Sequence, residues 1–295
     1  MRKASLPYAA FAGCSLVWGS TFLAIRFGND TIAPLWGCSL RLGLAAILLN
    51  LLLLATRQPW PKGKALQSAV AYGFFEFGLG FTFLYYGEHA VPSGLAAVVY
   101  AICPIAVMLC ASVLGMEKLN ATKLSAAILA LGGVALIFWK ELRSGLLPTP
   151  LFAVFVAAIT AAIAGLMLQR GPKQNAIGAN AVGALVGLPC AILGSLLLGE
   201  REVLPRTLAE IFPVCYLAVM GSVLAFGLFA WLLGQWRATT VAFIGVIVPV
   251  IAVILGAVVR HEAFSMETLA GGAVVLMGVT IALRAEKQLT SEPLP

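Results

Sequence analysis

Charge is what this sequence has least of. Only 11% of its 295 residues are Asp, Glu, Lys or Arg, against 61% hydrophobic. A water-soluble domain of that composition would be left with large exposed apolar patches, so an ordinary soluble fold is excluded. Histidine is nearly absent, since His89 and His261 are the only two. No metal set or nucleophilic triad can be assembled around them, which leaves an intramembrane enzyme without its constellation and requires no cofactor. The six cysteines (Cys14, Cys38, Cys103, Cys110, Cys190 and Cys215) show no metal-ligand spacing. Each falls in an apolar run and reads as a small hydrophobe rather than half of a disulfide. Basic patches interleaved with aromatics are missing too, so the net charge of +7 does not point to nucleic acid.

What the chain does have is a series of apolar runs, each about 18–22 residues long, the length that crosses a bilayer as helix. The short alternating segments of a membrane barrel do not occur. Ten spans can be placed, at 8–25, 34–55, 66–87, 92–114, 121–139, 150–169, 178–199, 211–233, 238–259 and 267–284. Turn chemistry such as Gln58-Pro-Trp-Pro61 and Arg170-Gly-Pro-Lys173 separates them. Every connection is short, which leaves no room for a soluble domain. Arg2 and Lys3 ahead of an apolar run resemble a signal peptide. That run continues past Cys14 to Ile25, however, and reads as a first membrane helix that is retained.

One stretch occurs twice. Ser93 to Phe138 lies on Ala238 to Leu283 without a gap, an offset of 145 residues (238 − 93). Pro104 then meets Pro249, Glu117 meets Glu262, Gly133 meets Gly278, and Asn120 meets Ser265, two residues that suit a helix N-cap. The unit is an apolar helix with a central proline, a turn with glutamate, a cap, and a second apolar helix. The expected fold is therefore all-α and membrane-embedded: ten transmembrane helices as two five-helix repeats, residues 1–145 and 146–295.

Orientation follows from the basic residues. Twelve Lys and Arg flank one side, from Arg2 and Lys3 to Arg284 and Lys287. Six flank the other (Arg26, Lys140, Arg143, Arg201, Arg206, Arg260), and Arg41 inside a span completes the total of 19. Both termini are thus expected in the cytoplasm. Five spans per copy is an odd number, so the second copy enters the membrane inverted, with Glu117 on the cytoplasmic side and Glu262 on the far side. Inverted repeats with a shared site near the midplane suit a transporter that opens to alternate sides.

Trp18-Gly-Ser-Thr-Phe22, Arg41, the run from Tyr85 through Pro104 to Glu117, and Gly132-Gly133 together resemble a drug/metabolite transporter of the EamA type. Pro249, Glu262 and Gly278 repeat the pattern. The resemblance covers nearly the whole chain. It implies ten helices in two inverted halves that export small metabolites across a bacterial inner (plasma) membrane. Within that superfamily the chain is most similar to aromatic amino acid exporters, whose members accept a range of amino acids. The sequence departs from the pattern at Gly115-Met-Glu117, at Arg260-His-Glu262, and in span 6, where Ile163-Ala164 replaces Trp-Gly.

Two charges lie well inside spans, Arg41 and Glu76. An intramembrane charge needs a partner or a wet cavity. One reading pairs them to lock two helices; the other places Glu76 on a cavity wall, where it binds a substrate ammonium or exchanges a proton. Pro104 and Pro249 each remove a helical hydrogen bond, freeing the carbonyls of Tyr100 and Gly245, and are candidate hinges. Helical spacing collects Tyr72, Glu76 and Phe83 on one face, Tyr100 with Pro104, Gly245 with Pro249, Trp18 with Thr21, and Trp231 with Gln235. A wall of aromatic and small residues with few charges suits an apolar or zwitterionic solute. Tyr85 and Tyr86 read as interfacial. Glu117 and Glu262, three residues before the caps, are read as structural, like Arg41 in the paired reading. Gly183 with Gly187, Gly132-Gly133 and Gly271-Gly272 read as close packing surfaces.

The expected function is export of amino acids, aromatic or broadly neutral, with the lipid bilayer and a small-molecule substrate as the partners. Alternatives are export of a nucleobase, polyamine or drug, and a channel. Oligomeric state and proton coupling leave no trace in the sequence.

Overall fold

Runs of Ala, Leu, Val and Ile with few polar interruptions form helices almost throughout, and their ends carry the capping chemistry that helices require. The computed structural model describes residues 2–91, 96, 99–137, 139, 148–260 and 266–291. No strand occurs among the described residues. We number the main helical runs in chain order. Helix α1 is Arg2–Asn29 and α2 is Pro34–Ala55. Helix α3 is continuous over Gly63–Gly73, Phe74–Gly80 and Phe81–Ala90, and its middle stretch is π-helical. Helices α4 to α7 are Cys103–Val113, Ala121–Ile137, Pro148–Arg170 and Ala176–Leu197. Helix α8 joins Leu208–Tyr216, a π-helical Leu217–Ala225 and Phe226–Leu233. A turn of helix at Ala238–Val241 precedes α9, Ile244–Arg260, and α10 is Met266–Ser291.

Local sequence explains the boundaries. Helix α2 starts on Pro34, whose missing N–H is no loss in a first turn. The first-turn amides of Leu35 and Trp36 donate to the Glu200 carboxylate, at 3.1 and 2.8 Å, so a remote loop caps this helix. Asn120 accepts from the Lys123 amide at 2.9 Å, as its capping role predicts. Thr207 and Glu210 form a reciprocal capping box at the start of α8. Helices α4 and α7 end alike, with Gly115 (φ 65°) and Gly199 (φ 63°) in the left-handed region. The next amide in each case bonds back to Ala111 or Ser195, the closing pattern that glycine permits.

Six described helices are long and apolar enough to cross a membrane: Ser5–Asn29, Pro34–Ala55, Thr149–Arg170, Ala176–Leu197, Leu208–Leu233 and Leu269–Glu286. Cys103–Val113, Ala121–Ile137 and Ala238–Ala252 are apolar but shorter. The outer surface is correspondingly greasy, with Val113 87%, Leu208 84% and Leu197 78% exposed. In water that surface would aggregate; facing acyl chains it is unremarkable.

Helix packing follows an exchange rule. Helix α1 packs against α8 and α9, while α6 packs against α3 and α4; α2 pairs with α7, and α5 with α10. Small residues make the two paired contacts, because apolar burial gives helices no reason to associate in lipid and close van der Waals approach must. A Cβ on Gly133 would lie 2.7 Å from the Gly271 carbonyl oxygen, and Ala45 and Ala46 cluster with Ala181 and Ala184 between α2 and α7; on α7 too, a Cβ on Gly183 would lie 2.7 Å from the Phe77 ring of α3. Gly132 has nothing nearby and Gly272 only an ordinary contact with Val250, so the close surfaces use one glycine of each doublet.

The proline helices depart from the simple expectation. Pro104 is not central: it sits in the first turn of Cys103–Val113, after a turn at Ala101 and Ile102. There its lacking N–H breaks no bond. Pro249 does lie inside α9, and the interruption in that run falls earlier, at Ala242 and Phe243. Both runs are broken, so neither is one continuous span. Glu262 and Ser265 lie outside the described residues.

Candidate functional site

A cavity opens between the halves of the chain. Helices α1, α2, α3, α6, α8 and α9 wall it, together with Tyr100, Cys103 and Val107 of the α4 run. Its lining is largely apolar. Trp18 stacks edge-on to Phe226 at 4.8 Å and tilts onto Phe229 at 5.3 Å, and Phe81 lies 5.7 Å from Phe226. These four rings form one aromatic wall. Small residues, Ala161, Ala162, Gly165, Ala242 and Gly245, face the cavity from α6 and the α9 run. Gly245 also approaches the other broken helix, since a Cβ there would be 3.5 Å from the Tyr100 carbonyl oxygen.

Two charged residues line this apolar space, Arg41 and Glu76. They are 3% and 7% exposed. The Arg41–Glu76 ion pair is not formed, whereas Lys123 and Glu286 do pair. Instead the Arg41 Nε donates to Ser222 Oγ at 2.9 Å and its Nη1 to the Tyr85 hydroxyl at 3.1 Å. Its guanidinium carbon lies 4.4 Å from the centre of the Phe81 ring. Glu76 sits on the π-helical turn of α3, and Ser222 on that of α8. Such turns take one extra residue and re-aim the side chains around them.

Of the expected site residues, Trp18, Thr21, Glu76, Tyr100, Gly245 and Pro249 line the cavity. Tyr72, Phe83, Trp231 and Pro104 are not in its wall. Tyr72 is fully buried and donates to Asn180 Oδ1 at 3.0 Å, joining α3 to α7. Phe83 packs in a side cluster with Leu84 and Val154, and Trp231 lies half-buried against the main core. The π-helical turn accounts for Phe83. A regular helix carries the Glu76 face to Phe83 seven residues on, whereas the extra residue carries it to Phe81 and Leu84. Tyr85 is buried at 2% exposure rather than interfacial.

The signal that would have found the missed aromatics was the repeat. The same offset relates Phe81 to Phe226 (226 − 81 = 145) and Glu76 to Gly221 (221 − 76 = 145). The Arg41 guanidinium lies against Gly221: a Cβ there would be 2.9 Å from Nη2.

A second polar cluster lies away from the cavity. Lys123 Nζ meets Glu286 Oε2 at 2.7 Å and donates to Thr239 Oγ1 at 3.0 Å. Thr240 donates to Glu286 Oε2, and Thr239 to Glu117 Oε2, each at 2.8 Å. Glu117 therefore ties the turn after α4 to the start of the α9 run. Gln169 on α6 donates to the Leu233 and Trp236 carbonyls and accepts from the Ala238 amide, satisfying backbone groups that the α8–α9 break leaves open. Among the described residues, no group of three His, Cys, Asp or Glu side chains could hold a metal.

The chain matches the model of the EamA-like transporter family over residues 6–139 and 148–284. The uncharacterized inner membrane transporter YedA of Escherichia coli (strain K12) is 28% identical to it over 281 residues, covering 94% of this chain and 90% of YedA. A probable amino-acid metabolite efflux pump of Salmonella typhimurium (strain LT2) is 25% identical, covering 90% of this chain and 91% of the pump. A protein of known crystal structure superposes with a TM-score of 0.75 at 21% identity, over 97% of this chain and 99% of its own. At that identity the likeness concerns the fold alone.

Proposed function

Since this chain belongs to the EamA-like transporter family, we propose that it exports amino acids, aromatic or broadly neutral, by alternating access. The observation behind this reading is the cavity itself. It presents one acid and one guanidinium, unpaired with each other, beside a wall of Trp18, Phe81, Phe226 and Phe229. A zwitterion with an apolar side chain matches both features, and Glu76 is the natural partner of its ammonium. The relative named as an amino-acid metabolite efflux pump fits the same reading.

The proposed architecture is ten spans in two inverted halves, residues 1–145 and 146–295, in a bacterial inner membrane with both termini cytoplasmic. Its support is the packing rule, since exchanging each helix with the one five positions along maps the main contacts onto one another. The Lys and Arg asymmetry supports the orientation. In this scheme Pro104 and Pro249, with the breaks that precede them at Ala101–Ile102 and Ala242–Phe243, act as hinges. A Pro104→Ala, Pro249→Ala double variant that turns over normally removes the hinge role.

Counterflow in liposomes reconstituted with the protein and preloaded with unlabelled solutes tests the function. Labelled tryptophan should accumulate only when amino acids are inside. If folded protein supports no such accumulation with any amino acid, the substrate assignment falls and nucleobases, polyamines and drugs come next. Flux without saturation or counterflow would instead indicate a channel.

A further inference from the structure

We infer that Arg41 is the residue that reads the carboxylate of the exported solute, and so sets the boundary between amino acids and amines. The inference rests on the amino-acid reading above. It reassigns a residue that sequence alone treats as a structural charge.

A guanidinium carries five N–H donors in a rigid plane. At Arg41, Nε is used by Ser222 and one donor of Nη1 by Tyr85. Both partners are neutral hydroxyls, so they orient the group without discharging it. Phe81 supports one face of the plane. Remaining donors sit on Nη1 and on Nη2, and Nη2 is the nitrogen against Gly221. No carboxylate lies within ion-pair distance among the described residues. A cation this deeply buried in an apolar wall calls for an anion, and the cavity beside it is where one can arrive. A substrate carboxylate meets a preset fork and needs no reorganisation.

Pseudo-symmetry adds a second argument. The offset that defines the repeat places Glu76 and Gly221 at equivalent positions of the two halves. The acid occupies one of these positions, and the other is left without a side chain and is approached by the guanidinium. Helices α2 and α7 correspond at an offset of 142 (176 − 34 and 197 − 55), which makes Gly183 the counterpart of Arg41, so the charge is not duplicated. One π-helical turn thus carries the acid, while the other seats the guanidinium that α2 supplies, and a zwitterion reads the two as complementary. Gly221 matters because any side chain there would push the guanidinium from its place.

The test uses full-length protein in liposomes and three probes that share one ring system: tryptophan, tryptamine, which lacks the carboxylate, and indole-3-propionate, which lacks the ammonium. Wild type should carry tryptophan best. Arg41→Gln should raise KM for tryptophan by roughly 10–100-fold, the range for a lost charged hydrogen bond, and leave tryptamine at its wild-type level. Glu76→Gln should show the reverse selectivity, sparing indole-3-propionate. Gly221→Ala keeps the charge and should raise KM for tryptophan more than for tryptamine, so the idea stays testable if Arg41→Gln does not fold. Wild type that carries tryptamine as well as tryptophan overturns the inference, as does an Arg41→Gln or Gly221→Ala variant that changes both solutes by one factor. Wild type that carries indole-3-propionate but no amino acid, with that flux lost in Arg41→Gln, refutes the amino-acid reading and leaves the carboxylate role standing. Wild type that carries none of the three refutes both.

Discussion

Two places in this molecule bury charge, and they do so in opposite ways. Lys123 and Glu286 meet at 2.7 Å inside a shell of threonine hydroxyls, at 1% and 3% exposure. Arg41 and Glu76 are buried almost as deeply but face a cavity and leave each other alone. The first pair meets its desolvation cost internally, through contact and hydrogen bonds, and has little left with which to bind anything. The second leaves part of its cost unmet, and a ligand of matching charge can supply the rest. Residue type does not separate the two cases; pairing does.

The comparison breaks most sharply at the paired end. Lys123→Ala takes the buried cation away from the Glu286 carboxylate and should destabilise the protein by about 3–5 kcal/mol, read as a fall in melting temperature in detergent. A Lys123→Met, Glu286→Met double variant removes both charges and should recover most of that loss. If the double variant is no more stable than the single, the pair is not the source of the effect.

At the cavity end the expected loss is functional. Glu76→Gln should cost the equivalent of roughly 1.5–3 kcal/mol in tryptophan transport, a 10–100-fold drop in initial counterflow rate. Its melting temperature should stay near wild type, because no partner within the protein is left behind. A variant that transports normally, or one that unfolds, would erase the distinction between the two regions.

Intermediate between them stands the α5–α10 contact. Gly133→Ala forces a methyl against the Gly271 carbonyl and should cost about 1–3 kcal/mol of stability. Gly132→Ala next to it meets nothing and should be neutral, which a paired thermal-shift measurement checks. The smallest effect is expected for Tyr72→Phe, which gives up one buried hydrogen bond to Asn180, about 1 kcal/mol, with transport rates unchanged. A large transport defect there would return Tyr72 to the substrate site.

Much of this protein was legible before any coordinates. Apolar run length determined that the chain is helical and membrane-embedded, because only helices satisfy their own backbone groups segment by segment in lipid. The repeated proline, glutamate and cap identified an internal repeat, and Trp18, Thr21, Glu76 and Tyr100 were picked out from residue type and helical spacing. Other features required tertiary structure, for definable reasons. A π-helical turn shifts the face of α3 by a residue and exchanges Phe83 for Phe81, which a fixed period of 3.6 cannot anticipate. Lys123 read as a flanking charge, because its partner Glu286 lies 163 residues away. Whether Arg41 met Glu76 or a cavity depended on Ser222 and Tyr85, which belong to two other helices. Sequence determines which residues cannot face lipid unaccompanied, since that cost is a property of the side chain. Tertiary structure alone decides which of them find partners, since that depends on helices brought together from distant parts of the chain.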